Sequence, residues 1–175
     1  MNEWRFSIAS LIIRNLGLQH SSQEVLLVMS IMKFLLVYDD VVYVLGCRLR
    51  VEVWMKRIGE WKWAEYDNMT VESEHNNYTV HVTGYHGNAG DAFNDDHVET
   101  WRSNGMPFTT RDVDNDQYQT ANCADIRGGW WFRRCSSSCL NSLVVPGHWY
   151  STPSPNLKTL KVGGSRMMLL CGVGN

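Results

Sequence analysis

The 175-residue sequence lacks the motifs of the common enzyme and fibrous classes. It has no G-x-S-x-G elbow around a serine, no phosphate-binding loop and no dinucleotide fingerprint, so we expect no enzyme. A G-x-y repeat and apolar heptads are also missing, which excludes a collagen-like or coiled-coil stalk within this sequence. The net charge of −2, with mixed signs, gives no reason to expect a nucleic acid partner.

Long apolar runs without charges are missing as well. The more apolar stretches cover residues 8–13 and 25–44, and Lys33 together with an Asp pair makes the second a costly membrane span. The first follows Glu3 and is near the lower length limit for a signal peptide. We therefore expect no membrane partner. Residues 1–48 have four possible interpretations: a segment that packs as an irregular helix or strand, a signal or anchor, a distinct domain, or an artefact.

An acidic run dominates the second half of the chain, because Asp112-Val113-Asp114-Asn115-Asp116 places three carboxylates on alternate positions. Clustered carboxylates repel one another unless a hard cation lies between them, and oxygen-only ligands indicate Ca²⁺ rather than zinc or copper. An EF-hand is excluded, because Gln117 and Cys123 occupy the positions of its glycine and its bidentate glutamate. The alternative is a solvated acidic turn, since Asp and Asn favour turns.

The five cysteines and two glycosylation triplets favour an extracellular protein. Cys123 and Cys135 lie close to the acidic run, which suggests an oxidising, calcium-rich compartment. An odd number of cysteines leaves a free thiol or an intermolecular bond open. Cys135 and Cys139 are the only closely spaced pair with zinc-ligand spacing, and no histidine lies near them, so we reject a zinc site. The triplets beginning at Asn68 and Asn77 predict N-glycosylation.

Period-two patterning predicts a protein made mostly of strands and loops. The predicted strands cover residues 49–54, 65–71 and 78–83, and apolar runs that return as strands cover residues 157–160 and 167–170. Gly84 is expected to end the third strand, and a short helix is expected over residues 89–93. Residues 94–145 are rich in Gly, Asn, Asp and Ser, which predicts a long functional loop region that needs local stabilisation by a metal ion or a disulfide.

Several motifs in a fixed order resemble those of fibrinogen C-terminal (fibrinogen-related) domains. Residues 84–91, GYHGNAGD, are similar to the family signature G-Y-x-G-N-A-G-D, and residues 104–110, NGMPFTT, are similar to the entry to its calcium loop. The other matching motifs are residues 49–52 (LRVE), 64–67 (AEYD), 112–116 (DVDND), 122–124 (NCA), 128–131 (GGWW), Cys135 and 140–141 (LN). The resemblance predicts a non-family segment over residues 1–48, a partial fibrinogen C-terminal-like domain over 49–170 and a tail over 171–175.

The resemblance implies an α+β fold, mostly β and loops, in which an antiparallel sheet subdomain precedes a loop-rich, calcium-binding subdomain. Members of the family are secreted recognition modules rather than enzymes. Carried over to this chain, the Ca²⁺ ligands fall on the carboxylates of Asp114 and Asp116 and the backbone carbonyls of Tyr118 and Thr120. Asp112 is a supporting neighbour of this site. The resemblance also implies a disulfide between Cys123 and Cys135.

The family's ligand pocket lies beside that disulfide. In this chain the corresponding residues are Asp125, Arg127, Arg134, Cys135 and Ser136. The peptide before the second cysteine is often cis in the lectin-like members, and they commonly have His where Ser136 stands. The loop that forms the far wall of the pocket is missing after residue 141, and Arg127, Arg133 and Arg134 suggest an anionic ligand as an alternative.

Three functions follow from the resemblance. The first is lectin-like binding of acetylated glycans or microbial surface ligands, as in innate immunity. The second is binding of extracellular proteins, as in angiopoietins and tenascins. The third is a truncated relative without function.

Overall fold

A computed structural model describes residues 47–56, 58–94, 99–141, 148–149 and 162–170. The predictions for residues 1–46, for the apolar run 157–160 and for the tail 171–175 lie outside the described residues. Within the described ranges, no helix is long and apolar enough to cross a membrane.

An antiparallel sheet organises the first half of the described chain. The strands are β1 (Cys47–Met55), β2 (Glu60–Val71), β3 (Val80–Gly87), β4 (Ser138–Cys139), β5 (His148–Trp149) and β6 (Val162–Leu170). Four of them form a sheet in the order β3–β2–β1–β6, and β4 pairs with β5. All neighbouring strands run antiparallel. The mostly β architecture predicted from the sequence is therefore confirmed.

Alternation of side chains explains why these segments form the sheet. In β1, Leu49, Val51 and Val53 are fully buried, whereas Arg50 and Glu52 lie on the other face, where they form an ion pair at 3.0 Å. The three predicted strands in the first half are confirmed, and the run at residues 167–170 forms the end of β6. The buried face supplies the core against which the loops pack.

Two local predictions were wrong. Gly84 does not end β3, which continues to Gly87. Gly84 has φ +72°, and a Cβ there would lie 2.6 Å from the carboxylate of Asp67, so the close approach of that side chain is what requires glycine. Residues 89–93 form no helix, because the carboxylate of Asp91 instead accepts the N–H of Asn94 at 3.1 Å.

An aromatic cluster joins the sheet to the loop-rich half. The ring of Phe93 lies 5.5 Å from that of Tyr66 on β2, 5.9 Å from that of Trp130 and 6.0 Å from that of Trp149. The backbones of Thr109 and Trp130 exchange hydrogen bonds of 3.0 and 3.1 Å. As predicted, residues 99–141 are largely irregular, with a 3₁₀ turn at Glu99–Trp101 and one short helix, α1, at Ala124–Arg127.

Candidate calcium and ligand site

The acidic run lies in a loop that is closed by its own amide side chains. The Asn115 Nδ2 group donates to the carbonyl oxygen of Phe108 at 2.7 Å. The Asn122 Nδ2 group donates to the carbonyl oxygen of Thr110 at 2.9 Å. The two amide side chains thus tie the loop to the backbone that precedes it. Asp112 and Asp114 are exposed, and Asp116 is half-buried.

Two carboxylates are held in this loop by backbone N–H groups. Asp114 Oδ1 accepts the N–H of Asp116 at 3.1 Å. Asp116 accepts the N–H groups of Tyr118 and Cys123, one on each oxygen, at 2.6 and 2.8 Å. Burial raises the pKa of Asp116, and the nearby Asp114 carboxylate adds to the rise. Each Asp116 oxygen retains a second lone pair, so the carboxylate is oriented while still able to bind a cation.

The remaining predicted metal residues differ in position. Asp112 is exposed, and its carboxylate accepts the Thr110 hydroxyl at 2.7 Å, which lowers the pKa of Asp112. Tyr118 lines an open surface depression together with Asp114 and Asp116. Thr120 is exposed and is not among the residues lining that depression. Three of the four predicted ligand positions are therefore brought to one place.

The donor set suits a hard cation. Among the described residues, no group of three or more His, Cys, Asp or Glu side chains is arranged to hold a metal ion. A cation at Asp114 and Asp116 would therefore need backbone carbonyls and water as well as the two carboxylates, a combination that Ca²⁺ accepts. Because these side chains offer oxygen alone, they do not favour zinc.

The disulfide implied by the family resemblance is confirmed, since Cys123 and Cys135 are bonded at 2.04 Å. Cys139 is a free, fully buried thiol, and burial raises the pKa of this group to about 12. Cys47 is disulfide-bonded as well. The Cys123–Cys135 bond connects the start of α1 to the segment around residue 134.

The acidic loop also contacts the residues that flank the second cysteine. The Gln117 N–H donates to the carbonyl oxygen of Arg133 at 2.7 Å, and the Arg133 Nε donates to Gln117 Oε1 at 3.1 Å. The Arg134 guanidinium stacks 5.2 Å from the ring centre of Tyr118. These contacts were not predicted, because sequence patterns do not show which side chains meet across a loop region.

The predicted ligand residues lie together around the disulfide. Asp125 is exposed on α1, and its carbonyl accepts a hydrogen bond from Arg111 at 3.1 Å. Arg127 is half-buried, and its carbonyl lies 3.2 Å from the Cys139 thiol, which donates to it. Arg134 is exposed. Side chains of both charge signs are therefore available on the surface beside the disulfide.

Cys135 is half-buried and Ser136 is buried, so neither offers an exposed side chain at this surface. The peptide before Cys135 is trans rather than cis, and Cys135 has φ +56°. Ser136 is buried, and its hydroxyl donates to the Trp131 carbonyl at 3.1 Å while accepting the Arg133 N–H at 3.2 Å. The Ser136 hydroxyl therefore stabilises the segment from within the protein.

Both predicted glycosylation sites are accessible. Asn68 is exposed on β2, opposite Thr83 of β3. Asn77 is exposed in a turn, with φ +51°. Glycosylation at either residue stays a prediction.

Comparison with protein families identifies a matching family model. The family model described as "Fibrinogen beta and gamma chains, C-terminal globular domain" matches residues 34–156. Similar proteins include fibrinogen-like protein 1 of Bos taurus, 41% identical over 91 residues, which cover 49% of this chain and 29% of that protein. Techylectin-5A of Tachypleus tridentatus is 36% identical over 86 residues, which cover 49% of this chain and 27% of that protein. The chain thus spans less than a third of these relatives, and the predicted domain boundaries stay a prediction.

Solved structures show the same likeness. The fibrinogen-like globe domain of human ANGPTL2 has a TM-score of 0.55 and 33% identity, over 72% of this chain and 58% of that chain. A lamprey fibrin D-dimer, in complex with the peptide Gly-His-Arg-Pro-amide, has a TM-score of 0.57 and 25% identity, over 74% of this chain and 48% of that chain. The likeness therefore extends from the motifs to the arrangement of the sheet and loops.

Proposed function

The chain belongs to the family of fibrinogen C-terminal globular domains, and on this premise we propose that it is a secreted, calcium-dependent recognition module for acetylated glycans on microbial or cell surfaces. The family is non-enzymatic and consists of binding modules; its members are typically secreted and often bind Ca²⁺. Calcium dependence, the class of ligand and secretion of this chain are the parts that we propose.

One observation carries the proposal: the Asp116 carboxylate is hydrogen-bonded to the disulfide around which the candidate ligand residues lie, and Asp114 in turn accepts the N–H of Asp116. Asp116 accepts the N–H of Cys123, so the carboxylate that would bind the cation also positions the start of α1. We assign the metal to Asp114 and Asp116, with the carbonyls of Tyr118 and Thr120. Bound Ca²⁺ would supply positive charge that offsets the repulsion between the two carboxylates.

The ligand residues would act through both side chains and backbone. Asp125, Arg127 and Arg134 would form hydrogen bonds with polar groups of a sugar, and the backbone on either side of Cys135 would face the acetyl group. Ser136 would contribute by holding that backbone, because its hydroxyl is already bonded to Trp131 and Arg133. The accessible sequons at Asn68 and Asn77 and the similarity to Techylectin-5A support a secreted, lectin-like module.

Retention on N-acetylglucosamine beads tests the proposal. We expect the full chain to bind in Ca²⁺ and to elute with EDTA or free N-acetylglucosamine. Arg134→Ala should weaken retention, whereas Arg166→Ala should not, because Arg166 stacks on Trp61 at 4.6 Å on the sheet, away from the site. Absence of retention, or equal retention on unsubstituted beads, would contradict the lectin function.

A protein ligand is the second candidate, and exposed apolar side chains favour it. Ile126 on α1 is 65% exposed, and Val113 in the acidic loop is 51% exposed. Burial of apolar side chains is the main favourable term in most protein–protein association. Angiopoietin-related protein 6 of Mus musculus, 41% identical over 88 residues, and the peptide-bound lamprey fibrin are similar proteins in line with this alternative. Failure to bind the beads, together with capture of a peptide or protein that Ile126→Ser abolishes, would favour it.

A further inference from the structure

The end of the β1–β2 hairpin carries an exposed patch that the candidate site does not use. We call it the tryptophan tip, and it consists of Trp54, Lys56, Ile58, Trp61 and Arg166. Ile58 is 45% exposed and Trp61 is 43% exposed. The rings of Trp54 and Trp61 are 5.7 Å apart, and the Arg166 guanidinium lies 4.6 Å from the Trp61 ring centre. Large apolar side chains clustered at an exposed hairpin end are typical of an interaction surface.

Two glycines of β6 give the tryptophan tip its shape. A Cβ at Gly163 would lie 2.6 Å from Lys56 Cγ and 2.8 Å from Trp54 Cδ1. A Cβ at Gly164 would lie 3.7 Å from the Trp61 ring. The rings and the lysine stem therefore pack against bare backbone, where any larger residue at Gly163 would displace them.

The charges of the tryptophan tip are predominantly positive on the side that bears the rings. Lys56 is exposed and has no ion-pair partner among the described residues, and Arg166 lies 3.5 Å from the Glu52 carboxylate, one step further into the sheet. The neighbouring Glu60 pairs with Lys62 at 2.8 Å, and the strand register places both on the opposite face of the sheet. An anionic partner would therefore meet cations beside aromatic and aliphatic side chains.

We propose that the tryptophan tip docks the protein peripherally on a lipid bilayer with anionic headgroups. Tryptophan favours the boundary between headgroups and acyl chains, and an aliphatic residue such as Ile58 would enter the acyl region. Lysine and arginine are attracted to anionic lipids. A second copy of the tip would oppose cations with cations, and a sulfated polysaccharide would leave the aliphatic side chain of Ile58 without an apolar partner. The contact needs no spanning helix, so it revises the sequence-based expectation of no membrane partner, and it goes beyond the proposed recognition of glycans.

Vesicle flotation of the full chain tests this inference. Vesicles of phosphatidylcholine alone are compared with vesicles that also contain phosphatidylserine, in EDTA so that the acidic loop contributes nothing. We expect flotation with phosphatidylserine only, weakened by salt. Trp61→Ala or Ile58→Ser should reduce binding roughly tenfold, since each removes most of one inserted side chain. Lys56→Ala should reduce it about fivefold and lessen its dependence on salt.

Substitutions of the same residue types outside the tryptophan tip serve as controls. Trp101 and Ile126 are also exposed but lie in the loop-rich half, so Trp101→Ala and Ile126→Ser should float like the unaltered chain. Lys62→Ala, on the opposite face of the hairpin, should keep most of the binding. Each of three results would overturn the proposal. The first is no flotation, and the second is an equal loss of binding in tip and control variants. The third is that the tip mediates binding to a sulfated polysaccharide or to a second copy of the chain, without binding to vesicles.

Discussion

At the scale of single residues, short polar side chains fix the loops of this domain. Asn104 illustrates this: its Nδ2 donates to the Val82 carbonyl on β3 at 2.9 Å and to Asn94 Oδ1 at 2.6 Å, and its Oδ1 accepts the Val82 N–H at 2.9 Å. Sequence motifs marked Asn104 and Asp91 as family positions. They did not show which backbone groups these side chains satisfy, because the partners lie far apart along the chain.

The Tyr66–Asp91 hydrogen bond should be one of the stronger polar contributions to stability. The buried Tyr66 hydroxyl donates to Asp91 Oδ1 at 2.8 Å, and burial followed by the nearby charge of Asp91 raises the pKa of Tyr66 far above its usual range. We expect Tyr66→Phe to lower the free energy of unfolding by about 1–3 kcal/mol, because the half-buried Asp91 carboxylate loses a donor. Chemical denaturation measures this.

Tyr78→Phe is the control for that substitution, since no hydrogen bond of the Tyr78 hydroxyl is found among the described residues. It should change the free energy of unfolding by well under 1 kcal/mol, as is usual away from buried networks. Equal effects of the two substitutions would contradict the role assigned to the Tyr66 hydroxyl.

The free thiol of Cys139 should be unreactive towards alkylating reagents in the folded protein. Cys139 is fully buried, and because desolvation raises the pKa of this thiol to about 12, almost no thiolate forms at neutral or mildly alkaline pH. We expect iodoacetamide to alkylate Cys139 only after denaturation, as read by peptide mass mapping. Rapid alkylation of native protein would show that the segment opens.

At the scale of elements, strand cores could be predicted from the sequence, whereas strand ends could not. The alternation of Leu49, Val51 and Val53 identifies β1 because side-chain burial follows the pleat directly. The end of β3 depends instead on what lies opposite Gly84, namely the Asp67 side chain on β2. In a single sequence, a glycine that ends a strand cannot be distinguished from a glycine that makes room for a side chain of the neighbouring strand.

Two glycines with positive φ should respond differently to substitution. Gly87 has φ +140°, and a Cβ there would lie 2.3 Å from the Trp63 carbonyl oxygen. Gly105 has φ +78° with nothing within 4 Å of a Cβ. We expect Gly105→Ala to cost about 1–2 kcal/mol from backbone strain alone, and Gly87→Ala to cost more because β2 must move. Denaturation midpoints compare the stabilities of the two variants, provided that the denaturant dependence of the unfolding free energy is the same in both. A smaller loss of stability for Gly87→Ala than for Gly105→Ala would contradict this account.

At the scale of the whole molecule, the order of motifs predicted the fold, and the fold then assembled the site. The sequence alone placed Asp114 and Asp116 in an acidic loop, and the family resemblance paired Cys123 with Cys135. The bonds of Asp116 to Cys123 and of Gln117 to Arg133 were not predictable, because they depend on how irregular segments cross in space. The tryptophan tip escaped prediction for a related reason, since its residues come from three strands and from the turn between β1 and β2.

The central claim is that the acidic loop is a calcium site on a folded domain, and thermal unfolding in Ca²⁺ and in EDTA tests it most directly. Free Ca²⁺ at 100 times the dissociation constant should stabilise the oxidised chain by about 2.7 kcal/mol. Asp114→Ala should abolish this rise in the unfolding midpoint, and Asp112→Ala, which alters an exposed neighbour, should keep it. No rise for the unaltered chain, or no cooperative transition, would contradict the claim and favour a truncated relative without function.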